Sequence, residues 1–361
     1  ANQAAWPATG NSCRGGAYVS ALLACDSIAI LPEEMSRERF EWLAQVAGEV
    51  IKTPGSESNV WEIFQKCKEL QATRPQVRIF DQFEEYGNHL WHYAVTGPAM
   101  EEVFAQIARP GDRLAGVALT SGSAGTLGSA DYVKDRFPRA KLAVGEALEC
   151  PTLLYNGFGA HRIEGIGDKH VPWIHNVRNT DLVVGIDDER PMQLLRLFNE
   201  PEGRAYLVRQ GAPEDVVSGL DLLGSSGIAN ALGAVKLARH YELGQREVVF
   251  TVFTDSMQLY GSRLAEMTAR RGAFSAEDAA IAYHRWLLGT GTDHTLELTQ
   301  PDKRRIHNLK YFTWVEQMGR SVAELDAQWH DWPDFWDAIH AQADQIDALI
   351  EAFNAEAARA A

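Results

Sequence analysis

Along the first 300 residues, short apolar runs rich in β-branched side chains alternate with longer stretches whose apolar residues recur three and four apart. The runs lie at 27–31, 77–80, 114–119, 141–144, 182–186 and 248–253, and each has the length of a strand. Residues 59–70 and 227–240 carry the helical spacing between them. Unbroken apolar strands separated by amphipathic helices predict an α/β fold with open, twisted, mostly parallel sheets covered by helices. Beyond about residue 300 the pattern changes. Residues 304–361 hold no strand-like run, and 306–318, 322–329 and 335–353 read as three helices with Pro333 in the last gap. Trp314, Trp329, Trp332 and Trp336 crowd this extension and are expected to pack it onto the main body or onto a second subunit. The Ala-rich end, 351–361, is expected to fray.

At 361 residues the chain is long enough for two domains. The 34 basic against 49 acidic residues leave a net charge of −15, a surface that repels phosphate backbones and anionic lipid, so neither nucleic acid nor a membrane is an expected partner. No apolar run approaches the roughly 18 residues of a spanning helix. Cys13, Cys25, Cys67 and Cys150 are far apart and form no CxxC pair, so no metal site and no disulfide framework is expected. Free thiols suit a reducing cytoplasm.

Three loops carry candidate chemistry where strand patterns give way to helical ones. Residues 8–13, Ala-Thr-Gly-Asn-Ser-Cys, place small hydroxyl and amide groups beside the free N–H groups of a helix start. They suit a carboxylate, or serve as a plain helix cap from Asn11 or Ser12. Residues 121–126, Ser-Gly-Ser-Ala-Gly-Thr, follow a strand and let the backbone approach an anion closely, as a phosphate cradle does. The bland alternative is a tight turn. No Lys follows the last glycine and the GxGxxG spacing is absent, so this is neither a Walker loop nor a dinucleotide fingerprint. Residues 223–227, Leu-Gly-Ser-Ser-Gly, open the 228–240 helix without matching a G-x-S-x-G elbow. A hydroxyl bonded to a buried ring nitrogen, or simple capping, fits better.

In order and spacing these loops resemble the fold type II pyridoxal-phosphate enzymes, cysteine synthase and cystathionine β-synthase in particular. Residues 8–13 resemble that family's TSGNTG substrate loop, 122–126 its GTGGT phosphate loop and 223–227 its GISSG turn. Phe80 to Phe83, Thr96-Gly97-Pro98, Glu164 to Gly167 and Thr254-Asp255-Ser256 add further matches in family order, so the likeness runs over about 8–265. It implies a tryptophan synthase β-like fold with pyridoxal 5'-phosphate as cofactor. A smaller domain, 1–108, would carry the substrate loop, and a larger one, 109–300, the cofactor, with 301–361 as a helical extension.

The resemblance also implies roles. Gly122, Ser123, Ala124, Gly125 and Thr126 would hold the phosphate, Asn11 the ring hydroxyl, and Ser225 the pyridine nitrogen. Thr9, Ser12, Gln82 and Gly165 would bind a small amino-acid substrate. A neutral hydroxyl cannot keep the pyridine nitrogen protonated as a carboxylate can, which favours expulsion of a β-substituent over transamination. The implied activity is β-elimination or β-replacement on cysteine, serine or an O-activated serine, in a cytoplasmic enzyme, as a dimer.

Departures from the family pattern matter. Ala124 stands where the family has glycine, so a left-handed backbone there would be strained. Cys13 replaces another glycine, as a pocket-narrowing thiol or a buried small hydrophobe. The family's Schiff-base lysine lies roughly 30 residues before the substrate loop, a position upstream of residue 1. Lys169, which follows the 164–167 loop, either borders the site or is a solvated loop lysine. The expectation is therefore a complementing N-terminal segment or chain that brings the lysine, and with it a strand whose loss leaves a sheet edge open. A deaminating lyase or racemase of the same fold and a lysine-less, non-catalytic homologue are the alternatives.

Overall fold

The computed structural model describes residues 3–360. Four strands, β1 (Gln3–Pro7), β2 (Asp26–Pro32), β3 (Glu49–Thr53) and β4 (Val77–Ile79), form a parallel sheet in the order β3-β2-β1-β4. Five more, β5 (Arg113–Thr120), β6 (Lys141–Ala147), β7 (Leu182–Ile186), β8 (Glu247–Phe250) and β9 (Thr295–Glu297), form the second sheet in the order β8-β5-β6-β7-β9. Only β9 runs antiparallel to its neighbour. The fold class is the α/β arrangement expected.

The central strands are the ones the apolar runs announce. Every residue of β7 is buried, and β6 is buried after its first residue. Helices cover both faces of such strands, so no polar alternation survives. The strands the pattern missed, β1, β3 and β9, span only three to five residues each. β1 reads Gln-Ala-Ala-Trp-Pro and carries no β-branched residue, yet it sits between β2 and β4 because both flanking ladders satisfy its backbone.

The C-terminal extension is helical, with one correction: the 335–353 stretch divides into helices Asp334–His340 and Gln342–Ala360. Two of its four tryptophans are buried against the body. Trp314 Nε1 donates to the Val171 carbonyl at 2.8 Å, and Trp336 packs beside His89 with ring centroids 5.2 Å apart. Arg178 lies over the rings of Trp329 and Trp332. Lys310, fully buried, donates to the carbonyls of Trp173 and His175 and to Gln328 Oε1. No helix among the described residues is long and apolar enough to cross a membrane.

Candidate active site

A cavity of about 960 Å³ opens where the C-terminal ends of strands from both sheets face each other. Ligand clefts of open parallel sheets form at this end because the strand-to-helix loops converge there. Thr9, Asn11 and Ser12 reach it from the turn after β1, Gln82 from the turn after β4, and 122–126 from the turn after β5. Gly165 and Ile166 close another side, with Ser226, Asn230 and Thr254. Thus the residues expected to hold cofactor or substrate line one space, all but Ser225.

The 122–126 turn leads into helix Leu127–Arg136. Among the described residues, the five amides from Gly122 to Thr126 donate no hydrogen bond, whereas those of Leu127, Gly128 and Ser129 are bonded back to 124–126. Five consecutive free N–H groups at the positive end of a helix form a cradle for a phosphate. The donor set therefore fits the phosphate ester of pyridoxal 5'-phosphate. Gly125 is required by close approach: a Cβ there would lie 2.1 Å from Asn88 Oδ1. Asn88, which sequence reading did not single out, braces the turn by donating to the Gln82 carbonyl and to Ser123 Oγ. Nothing in the sequence distinguishes this asparagine from a solvent-facing one.

Ala124 adopts φ 64°, the strained left-handed conformation anticipated. That conformation costs an L-residue about 1–2 kcal/mol, partly offset in glycine by its larger entropy loss on folding. Ala124→Gly is therefore expected to raise stability by about 0.5–1 kcal/mol. Urea unfolding checks this, and an unchanged or lower midpoint would contradict it.

Beneath the substrate loop lies a buried polar network with no counterpart in the sequence reading. Arg39, from helix Arg37–Val46, is fully buried. Its guanidinium donates to Glu164 Oε2 at 2.5 Å, Asn11 Oδ1 at 2.6 Å, Asp255 Oδ2 at 3.0 Å and the Tyr260 hydroxyl at 2.9 Å. Burial opposes its charge, but Tyr260, Glu164 and Asp255 outweigh that and hold it protonated well above the ordinary arginine range. Asn11 is clamped at both ends, because its Nδ2 donates to Asp255 Oδ2 at 3.0 Å. Gly10 must be glycine for the same reason: its φ is 144°, and a Cβ would meet Arg39 Nη1 at 2.7 Å. An arginine in a Ser-Arg-Glu-Arg-Phe stretch reads as a solvated helix face, so the sequence held no cue to its burial.

Other candidates fall outside the cavity wall. Ser225 is fully buried with its Oγ unpartnered, whereas Ser226 takes the wall position, its Oγ 3.3 Å from Thr254 Oγ1. One residue of helix turns a side chain by about 100°, which is enough to exchange wall for interior. Cys13 is a buried small side chain, with Sγ bonded to the Gly10 carbonyl and burial pushing its thiol up to about 12. Lys169 is exposed and donates to Asn59 Oδ1. No lysine among the described residues lines the cavity. His92 does line it, and burial lowers its pKa to about 4, leaving a neutral imidazole.

Comparison with known proteins places the chain among relatives of one family. The sequence profile of a family described as pyridoxal-phosphate dependent enzyme matches residues 3–255. A probable cysteine synthase of Bacillus subtilis is 30% identical over 198 residues, which is 55% of this chain and 62% of that protein. A cysteine synthase of Staphylococcus aureus is 29% identical over 256 residues, covering 70% of this chain and 74% of its own. Among solved structures, an O-acetylserine dependent cystathionine beta-synthase from Helicobacter pylori superposes with a TM-score of 0.58 at 26% identity, covering 72% of this chain and 77% of that one.

Proposed function

Because the chain belongs to the pyridoxal-phosphate dependent enzyme family, we propose that its cavity binds that cofactor and works on a small amino acid by β-elimination or β-replacement. The observation that carries this reading is the row of five unbonded amides at 122–126, which line, together with Asn11, a space large enough for cofactor and substrate.

Bound there, pyridoxal phosphate supplies an electron-withdrawing ring that stabilises negative charge at the substrate α-carbon. The chain's residues do the rest. The 122–126 amides and the Thr126 hydroxyl hold the phosphate. Thr9, Ser12 and Gln82 donate to the substrate carboxylate, and the Gly165 backbone closes over it. Asn11, fixed by Arg39 and Asp255, keeps its second amide hydrogen for the ring oxygen. The Ser225–Ser226 turn offers the pyridine nitrogen only hydroxyl partners. With hydroxyls rather than a carboxylate as its partners, that nitrogen would not be held protonated, which would favour loss of a β-substituent over transamination.

The amine that takes the α-proton is proposed to come from outside these 361 residues, since no lysine of the described residues lines the cavity. Reductive trapping with borohydride followed by peptide mass spectrometry tests this. Pyridoxyl label on none of the lysines present is the expected outcome, and label on Lys169 would defeat it. The same absence favours a second reading, a homologue that binds the cofactor without catalysis. Release of keto acid and ammonia from β-substituted amino acids separates the two.

Cofactor titration followed by absorbance tests the ring-nitrogen assignment. Ser225→Ala/Ser226→Ala should alter the bound spectrum and weaken binding about tenfold, the effect of roughly one lost hydrogen bond. A double variant indistinguishable from the parent removes the assignment.

A further inference from the structure

Behind the cradle helix, outside the cavity wall, lies a second constellation. His89, on helix Tyr86–Trp91, Asp131, on helix Leu127–Arg136, and His340, on helix Asp334–His340, converge in the interior. His89 and His340 are 251 positions apart, so folding alone brings them together. His89 Nε2 lies 3.0 Å from His340 Nε2 and 3.6 Å from Asp131 Oδ2, and His340 Nε2 lies 4.0 Å from that same oxygen. Three points so spaced have a common centre about 2.1 Å from each, the bond length of zinc to imidazole nitrogen and carboxylate oxygen.

The surroundings point the same way. Asp131 is 1% exposed, and no Lys or Arg of the described residues forms an ion pair with it. Asn176 Nδ2 donates to its Oδ2 at 2.8 Å, and its Oδ1 has no partner. A buried carboxylate without a cation is costly, and only the two imidazoles stand within reach. Neither ring's Nδ1 is hydrogen-bonded, so nothing in the protein selects a tautomer. Two Nε2 atoms facing each other at 3.0 Å must otherwise share a single proton. Tyr93 stacks on His340 with centroids 3.6 Å apart and Trp336 flanks His89, so both imidazoles are held in place.

We propose that His89, Asp131 and His340 bind one divalent transition-metal ion of the zinc class, with water completing the coordination. Two imidazoles and one carboxylate are a common donor set for such ions. The ion would tie the C-terminal extension to the helix whose N-terminus presents the phosphate cradle. It would also tie both to the helix that carries Asn88, the brace of that cradle. Its role is a clamp, since the three ligands lie outside the cavity wall.

The test uses the full chain with zinc as the probe. After dialysis against metal-free buffer, elemental analysis should find about one zinc per chain. Chelation should lower the melting temperature by several degrees, and added zinc should restore it. His340→Ala should abolish both the bound zinc and the thermal response to it. That residue sits on a seven-residue helix at the margin of the core, and far-UV circular dichroism verifies that the variant folds. Asp131→Asn should weaken zinc binding at least tenfold. Cobalt in place of zinc should give the visible absorption of a low-coordinate nitrogen–oxygen site, lost in His340→Ala. No zinc above background with a melting temperature indifferent to chelator overturns the proposal, as does wild-type zinc content in His340→Ala. A stability that falls on acidification without any response to zinc would mean a shared proton, and overturns it too.

Discussion

Arg39→Met is expected to lower the free energy of unfolding by about 3–5 kcal/mol, the range for breaking a buried ion pair from one side. The guanidinium serves two carboxylates at once, Glu164 and Asp255, both with side chains only 3% exposed. Glu164 would keep Arg263 and the Ser36 amide, while Asp255 would keep only neutral donors, Asn11 and Tyr260. A buried carboxylate left with neutral partners either takes up a proton or destabilises the fold. Arg39→Lys should recover little, because a point charge on a flexible stem cannot span four acceptors as a planar fork does. Urea unfolding measures the loss, and the cycle with Glu164→Gln should show a coupling of at least about 1 kcal/mol. A loss below about 1 kcal/mol for Arg39→Met would mean that water reaches the network and that the burial is illusory. The same variant should loosen Asn11, so cofactor affinity should fall alongside stability.

Gly125→Ala should cost about 10- to 100-fold in affinity for pyridoxal phosphate, equivalent to roughly 1.4–2.8 kcal/mol. The added methyl would meet the Asn88 amide at 2.1–2.5 Å, and Asn88 is held by Gln82 and Ser123. Either the turn moves outward, misaligning its amides, or Asn88 swings away and leaves Ser123 unbraced. Overpacking of this kind also costs stability, typically about 1–3 kcal/mol. Gly15→Ala is the control, because Gly15 lines the same cavity yet a Cβ there meets nothing within 4 Å. Equilibrium dialysis against the cofactor reads the difference. Equal affinities for the two variants would show that the cradle does not depend on the backbone position at 125. Removing the obstruction with Asn88→Ala in the Gly125→Ala background should return part of the loss.

These two expectations differ in how far the sequence anticipates them. The glycine-rich turn at 122–126 is legible because small residues after a buried strand are unusual unless the backbone itself has work to do. Ala124 is legible in the same way, as an alanine at a position where the family has glycine, and its backbone does turn left-handed. The buried strands at 114–119, 141–144 and 182–186 were legible because a strand covered on both faces needs apolar residues at every position, a pattern independent of what covers it. The Leu-Gly-Ser-Ser-Gly turn was located, but which serine faces the cavity was not. That depends on where helix Ser225–His240 starts its rotation relative to Asp255 and Tyr260.

Local physics sets the alternation of strands and helices, the turns where the backbone is free to approach a ligand, and the all-helical end, and all three can be read along the chain. Long-range packing is what puts Arg39 in the interior, sets Asn88 against the 122–126 turn, and brings His89, Asp131 and His340 together. Each of these side chains has an unremarkable local context. A charge or an imidazole acquires its meaning from partners that chain topology delivers across 125, 216 or 251 positions, and from the loss of water when they arrive. Local patterning records which residues can be buried, whereas which buried groups face one another is a property of the assembled sheets and helices alone.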